Sequence, residues 1–101
     1  MGDIKVSVCV ITYNHEMYIS ECLASLVSQK TSFKYEIVIR DDCSQDSTLS
    51  IIKDYKEKYP ELIRLLDSSE NVGGSKNSMM VFSAAEGEYI SWCEGDDFFY
   101  Q

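Results

Sequence analysis

The sequence predicts an α/β fold: a parallel sheet of about four strands with helices on both faces. Three features predict it. Nearly continuous apolar runs alternate with segments of helical period. The runs are rich in β-branched residues, as strands buried on both faces are. A polar cluster follows each run at once. Strands alternating with helices imply parallel pairing with right-handed crossovers.

The first run, "IKVSVCVI" (4–11), reads as a buried strand, and "TYNH" after it as a polar loop. In residues 16–29, Ile19, Cys22, Leu23, Leu26 and Val27 recur at spacings of three and four, which makes one apolar helix face. "YEIVIR" (35–40) is the second strand. In "DDCSQDST" after it, Ser44 or Asp46 is placed to cap a helix. That helix carries Leu49, Ile52, Tyr55 and Tyr59 on one face, and Pro60 closes it. "ELIRLL" (61–66) is a third, shorter strand, and "DSSENVGG" (67–74) is a loop by composition. A third helix is expected over 75–85, with Gly87 as its C-cap glycine. "EYISWC" (88–93) is the fourth strand. The reading is one domain over residues 1–101, with no internal repeat or linker.

Composition bounds the function. At 101 residues with 45% hydrophobic content, the chain can bury a core. Its net charge of −8, from 17 acidic and 9 basic residues, is the opposite of a nucleic-acid binder's. An acidic chain can still hold a phosphorylated ligand, through a divalent metal or backbone amides. Cys9, Cys22, Cys43 and Cys93 form no C-x-x-C pair, so no zinc knuckle is expected. They read as reduced thiols, which suits the cytoplasm. The first strand starts almost at Met1, so no signal peptide is expected. No apolar run approaches the roughly 20 residues that span a bilayer. "MGDIKV" also fails the myristoylation pattern, because Val6 stands where Ser or Thr is needed.

The polar clusters are residues 12–14, 41–46, 67–71 and 94–97. In a parallel sheet all strand carboxyl ends share one edge, so clusters scattered in sequence should converge there. Ligands of open α/β sheets bind at that edge, near the switch in strand order. The residue types suggest the chemistry. Hard oxygen donors suit Mg²⁺ or Mn²⁺, which take their remaining ligands from phosphate and water. Tyr13 offers a flat ring for a base, and Asp42 can accept from a base N–H. Gly73 and Gly74 open a helix whose N-terminus favours an anion. Together these suggest a site for a metal-bound nucleotide diphosphate.

Plainer readings stand beside these. Asp41 and Asp42 can punctuate a loop and charge a helix start. Tyr13 can pack, and the Gly pair can be a turn. "GGSKNS" is not a phosphate-binding P-loop. Lys76 reads as a solvated helix charge, and His15 receives no role. Three carboxylates in "EGDD", directly after an apolar strand, resist the plain reading most.

These residues resemble the N-terminal nucleotide-binding half of the family 2 glycosyltransferases, inverting enzymes of the Rossmann-like GT-A fold. The likeness rests on "VSVCVITYN", "VIRDDCSQDST", "NVGGSKN" and "GEYISWCEGDD", in that order. The resemblance implies that Tyr13 packs on the nucleotide base and that Asp42 reads it. Glu94-Gly95-Asp96 is similar to the family's D-x-D motif. Asp96 would then be the direct metal ligand, and Glu94 would sit nearer the ribose or a metal-bound water. Asp97 would shape the acceptor side, and Lys76 matches a place where the family often keeps a basic residue beside the nucleotide. Glu94 replaces the more usual Asp, and Ile11 stands where many members have proline.

The implied reaction moves a sugar from a nucleotide diphosphate to an acceptor hydroxyl with inversion, within polysaccharide, glycolipid or glycoprotein synthesis. Mg²⁺ or Mn²⁺ is the implied cofactor. Nothing in the sequence matches the acceptor-binding half, which carries the catalytic base in the family. The chain is therefore expected to be a truncated enzyme that binds nucleotide and transfers nothing. Surface left uncovered leads to an expected homodimer. Cytoplasmic location is expected, with membrane association open for the longer enzymes. The rival readings are a receiver-like signalling domain and a non-catalytic nucleotide-binding module.

Overall fold

A computed structural model describes residues 3–94. The elements run β1 (Val6–Thr12), α1 (Ile19–Val27), β2 (Tyr35–Asp41), α2 (Thr48–Lys58), β3 (Ile63–Leu65), α3 (Gly74–Ala84) and β4 (Tyr89–Glu94). All strand pairs are parallel, in the order β3-β2-β1-β4.

The central strands β1 and β2 are largely apolar because both of their faces are covered. On one face, Val8 and Val10 of β1 meet Ile37 and Ile39 of β2. The stripe Ile19, Cys22, Leu23 and Leu26 of α1 closes over them with Ile52 of α2. Alternate residues point the other way, where Cys9 and Val38 pack against Val81 of α3, with Ile11, Ala84 and Ile90 beside them. Each fully buried Ile, Leu or Val contributes roughly 1.5–3 kcal/mol, so the stripe of α1 is the largest apolar contribution of any helix. The Sγ atoms of Cys22 and Cys93 lie 3.6 Å apart in that layer and join α1 to β4. All four cysteines are thiols, as anticipated.

Helix boundaries follow from specific bonds. The segment expected to start α1 at residue 16 is instead a turn, in which the His15 carbonyl accepts from Tyr18 N and Ile19 N, both at 2.9 Å. Tyr59 N still bonds back to the Tyr55 carbonyl at 2.9 Å, and α2 then stops before Pro60. Lys56 Nζ donates to the carbonyls of Pro60 and Ile63, at 2.8 and 2.6 Å, which fastens that turn to β3.

Gly87 does not cap α3. The helix ends at Ala85 in extended backbone (φ −68°, ψ 138°). Gly87 is required by a close approach: a Cβ there would lie 2.7 Å from Ser7 N and Oγ and 2.8 Å from Val6 C. Among the described residues, no helix is long and apolar enough to cross a membrane.

Candidate functional site

The strand order fixes where a ligand can enter. From β1 the chain steps outward to β2 and β3, with α1 and α2 packed together on one face. It then returns through α3 on the other face to place β4 on the far side of β1. The switch point is the crevice between β1 and β4 at their carboxyl ends. The register pairs Thr12 with Asp41 and Ile11 with Glu94, so three of the four polar clusters begin at one edge. The geometry also departs from a receiver-like domain, whose strand order is 2-1-3-4-5.

The acidic pair divides between the two faces, as period-2 geometry requires. Asp41 turns toward α1 and α2. It accepts from Thr12 Oγ1 at 2.7 Å, Ser44 N at 2.7 Å and the Ser44 hydroxyl. Ser44 Oγ in turn accepts from Asn14 N at 2.8 Å, and Asn14 Oδ1 from Gln45 N at 2.9 Å. Thr48 Oγ1 accepts from His15 N at 2.8 Å. Asp46 accepts from Thr48 N at 2.9 Å, which satisfies an amide at the start of α2. Burial pushes the Asp46 carboxyl up, but the Thr48 hydroxyl and amide, with the Glu16 amide, hold it below its ordinary value. These polar residues bolt the β1–α1 loop to the β2–α2 loop. Asn14 (φ 54°) and Cys43 (φ 60°) adopt left-handed backbone to make the fit.

Asp42 turns the other way, toward α3, and is 4% exposed. Its Oδ1 accepts from Val72 N at 2.7 Å and from Arg40 Nη1 at 3.1 Å. Its Oδ2 accepts from Gly73 N at 3.0 Å. Burial raises its pKa, but the Val72 amide, the Arg40 guanidinium and the Gly73 amide outweigh burial and lower it. The carboxylate is therefore ionised and immobile. This revises the expectation for the Gly pair: the anion at the start of α3 is the chain's own Asp42. Gly73, at φ 90°, supplies the backbone turn that aims its N–H there.

Arg40 organises this corner and was missed by sequence reading. At 2% exposed, it donates from Nη1 to Asp42 and to Asn77 Oδ1 (3.0 Å), from Nε to the Asp67 carbonyl (3.0 Å) and from Nη2 to the Glu70 carbonyl (2.9 Å). A signal was present. An arginine inside an apolar strand must find partners, and Asp42, two residues on, shares its face. His15 was also passed over, yet its backbone starts α1 and its Nδ1 accepts from Tyr13 N at 3.3 Å.

The other expected site residues are placed as follows. Tyr13 is 42% exposed at the end of β1, so its ring is accessible. Lys76 is exposed in the first turn of α3 and lines a groove of about 870 Å³ with Arg40, Val72, Met79 and Met80. That groove lies against the outer side of the 67–72 loop rather than at the β1–β4 crevice. Glu94 ends β4 beside Ile11. Asp96 and Asp97, and with them the expected direct metal ligand, lie outside the described residues. Among the described residues, no three His, Cys, Asp or Glu side chains cluster as a metal site would.

The sequence profile of glycosyl transferase family 2 matches residues 7–101. An uncharacterized protein of Mycobacterium tuberculosis is 44% identical over 93 residues, covering 92% of this chain and 27% of that protein. The poly(ribitol-phosphate) beta-N-acetylglucosaminyltransferase TarS of Staphylococcus aureus is 40% identical over 97 residues, 93% of this chain and 16% of TarS. The crystal structure of TarS residues 1–349 with UDP superposes with a TM-score of 0.82 at 38% identity, over 94% of this chain and 28% of that one. The mannosyltransferase PcManGT from Pyrobaculum calidifontis, solved with GDP-Man and Mn²⁺, superposes at 0.84 with 27% identity, over 100% of this chain and 30% of that one. The chain thus spans about a quarter of the length of the mycobacterial relative and less of TarS.

Proposed function

Because the chain belongs to glycosyl transferase family 2, we propose that it is the nucleotide-sugar-binding part of a GT-A glycosyltransferase. One observation carries the reading: the ends of β1, β2 and β4 bring Tyr13, Asp42 and Glu94 to one sheet edge at the switch point. The donor is a nucleotide diphosphate sugar. TarS was solved with UDP-GlcNAc and PcManGT with GDP-Man, which supports that ligand class. TarS is named for its action on poly(ribitol-phosphate), which supports an acceptor in polysaccharide synthesis.

In this reading the Tyr13 ring stacks on the base, and Asp42 accepts an N–H from it. Hard oxygen donors at the end of β4 suit a divalent ion, and PcManGT was solved with Mn²⁺. Asp96 would hold the ion, with Glu94 nearer the ribose or a metal-bound water, and the ion would stabilise charge on a departing diphosphate as a Lewis acid. Asp97 borders the acceptor side, and Lys76 lies beside the nucleotide. The general base belongs to the acceptor-binding part of the longer enzymes. The chain alone is expected to bind nucleotide diphosphate and transfer no sugar, because a positioned base contributes about 10²–10⁴-fold. A cytoplasmic location and a homodimer of the isolated chain are part of the same proposal.

Calorimetric titration with UDP and GDP in Mn²⁺ tests it. Wild-type protein should bind one of them, and Asp96→Asn should weaken binding far more than Asp97→Asn. Equal losses would mean the ligand is misassigned. No binding of either nucleotide would remove the proposal.

A further inference from the structure

We infer that Arg40 is a positioning residue for nucleotide selection: its guanidinium holds the Asp42 carboxylate against the 67–73 loop, so that the carboxylate presents one fixed acceptor to the base. The inference rests on the nucleotide-binding reading above and deepens it.

The geometry is a three-point clamp. From the α3 face of β2, Arg40 reaches Asp42 just past the end of its own strand, the carbonyls of Asp67 and Glu70 in the loop, and Asn77 on α3. Asn71 Nδ2 adds a bond to the Asp42 carbonyl at 2.9 Å. Among the described residues, Oδ1 of Asp42 accepts two hydrogen bonds and Oδ2 accepts one. A carboxylate oxygen has room for two, so Oδ2 retains one acceptor position. The charged groups on the elements packed here are Arg40 from β2, Asp67 and Glu70 from the loop, and Lys76 from α3. Asp41 points to the opposite face.

A fixed, ionised acceptor discriminates by chemistry. Uracil and guanine present a ring N–H to it. Cytosine and adenine present a ring lone pair at the equivalent position, which a carboxylate repels. A site built to bond an N–H rejects a base that lacks it, because the buried acceptor is left unpaired. Without Arg40, Asp42 would lose its cationic partner and the loop would lose two anchors, so both the ionisation and the aim of the acceptor would relax.

The test measures Kd for UDP and CDP in Mg²⁺ across pH 5–8. These ligands share ribose and diphosphate and differ in the base. Wild-type protein should prefer UDP at least about tenfold, the size of one buried hydrogen bond, with the UDP:CDP ratio flat across the range. Arg40→Met should bring the UDP:CDP ratio close to one, most completely toward pH 5. Arg40→Lys keeps the charge but cannot reach all four partners. It should lose at least threefold of the ratio, and it decides the matter if Arg40→Met does not fold. A merely structural role would weaken both nucleotides alike and leave the UDP:CDP ratio unchanged at every pH, and that result overturns the inference. In unsubstituted protein, the Arg40 Nη resonances should move with UDP and stay with CDP; no movement with UDP overturns it without any variant. If wild-type protein binds neither UDP nor CDP, the same comparison is made with GDP and ADP, and if it binds none of the four the underlying reading fails instead.

Discussion

The α3 face of β2 carries a buried charge at each end, and the two ends serve different purposes. At the amino edge, Glu36 accepts from Ser7 Oγ at 2.6 Å, Glu86 N at 2.8 Å and Arg64 Nη1 at 3.4 Å. Ser7 Oγ then accepts from Gly87 N at 2.8 Å, and Arg64 also bonds Glu86 and the Ala84 carbonyl. Together these bonds tie the connection between α3 and β4 to β1, β2 and β3. At the carboxyl edge, Arg40 and Asp42 stitch the start of α3 to the loop before it. Both networks anchor the same helix, and both bury charge. Only the second borders the loops that meet at the β1–β4 switch point. A buried charge by itself marks fastening; its place on the sheet decides whether it can also meet a ligand.

The comparison breaks if the amino-edge network affects nucleotide. Glu36→Ala should cost roughly 3 kcal/mol in urea unfolding, because it strands the Ser7 hydroxyl and the Glu86 amide. It should leave the Kd for UDP unchanged.

A smaller effect sharpens the contrast at high pH. Burial, and then the Glu36 charge, push the Cys9 thiol up to about 11 from an ordinary value of 9.0. The folded state holds that proton more tightly than the unfolded state. The contribution is therefore complete below pH 9 and is lost as pH rises from 9 to about 11. About 2–3 kcal/mol of stability should disappear across that window, and Cys9→Ala should abolish the step. Asp42 and Asp46 behave oppositely. Their lowered carboxyls stabilise above the ordinary carboxylate range, and the contribution is lost as pH falls through their folded values.

The smallest effect concerns the loop clamp on the other face. Asp46→Ala should cost about 1 kcal/mol, as loss of a helix-start acceptor does. It should loosen the β1–α1 loop, visible as faster amide exchange at Glu16 and Thr48, whose amides donate to Asp46.

The sheet and the edge its polar clusters share were legible because they follow from local pattern. The stripe Ile19, Cys22, Leu23 and Leu26 declares a helix face on its own, and all four are buried. Polar clusters after parallel strands must share an edge whatever their partners are. What was not legible depends on partners far along the chain. Gly87 fits a C-cap by spacing, but its need arises from Ser7, 80 residues earlier. The Gly pair reads as an anion site, but the anion is Asp42, 31 residues before Gly73. Arg40 reads as the polar end of a strand, although Asn77, 37 residues on, and two loop carbonyls hold it. Asp41 and Asp42 look alike in sequence, and only the strand's alternation assigns one to the loop clamp beside α1 and α2 and the other to the start of α3.

The central claim is that the carboxyl edge, and not the amino edge, meets a nucleotide. Amide chemical-shift mapping of the chain during titration with UDP and Mg²⁺ tests it most directly. The predicted result is movement confined to residues 12–16, 41–46, 71–77 and 94–97, with Ser7, Glu36, Glu86 and Gly87 unmoved. Shifts centred on that amino-edge group, or no shifts at saturating UDP, would contradict it.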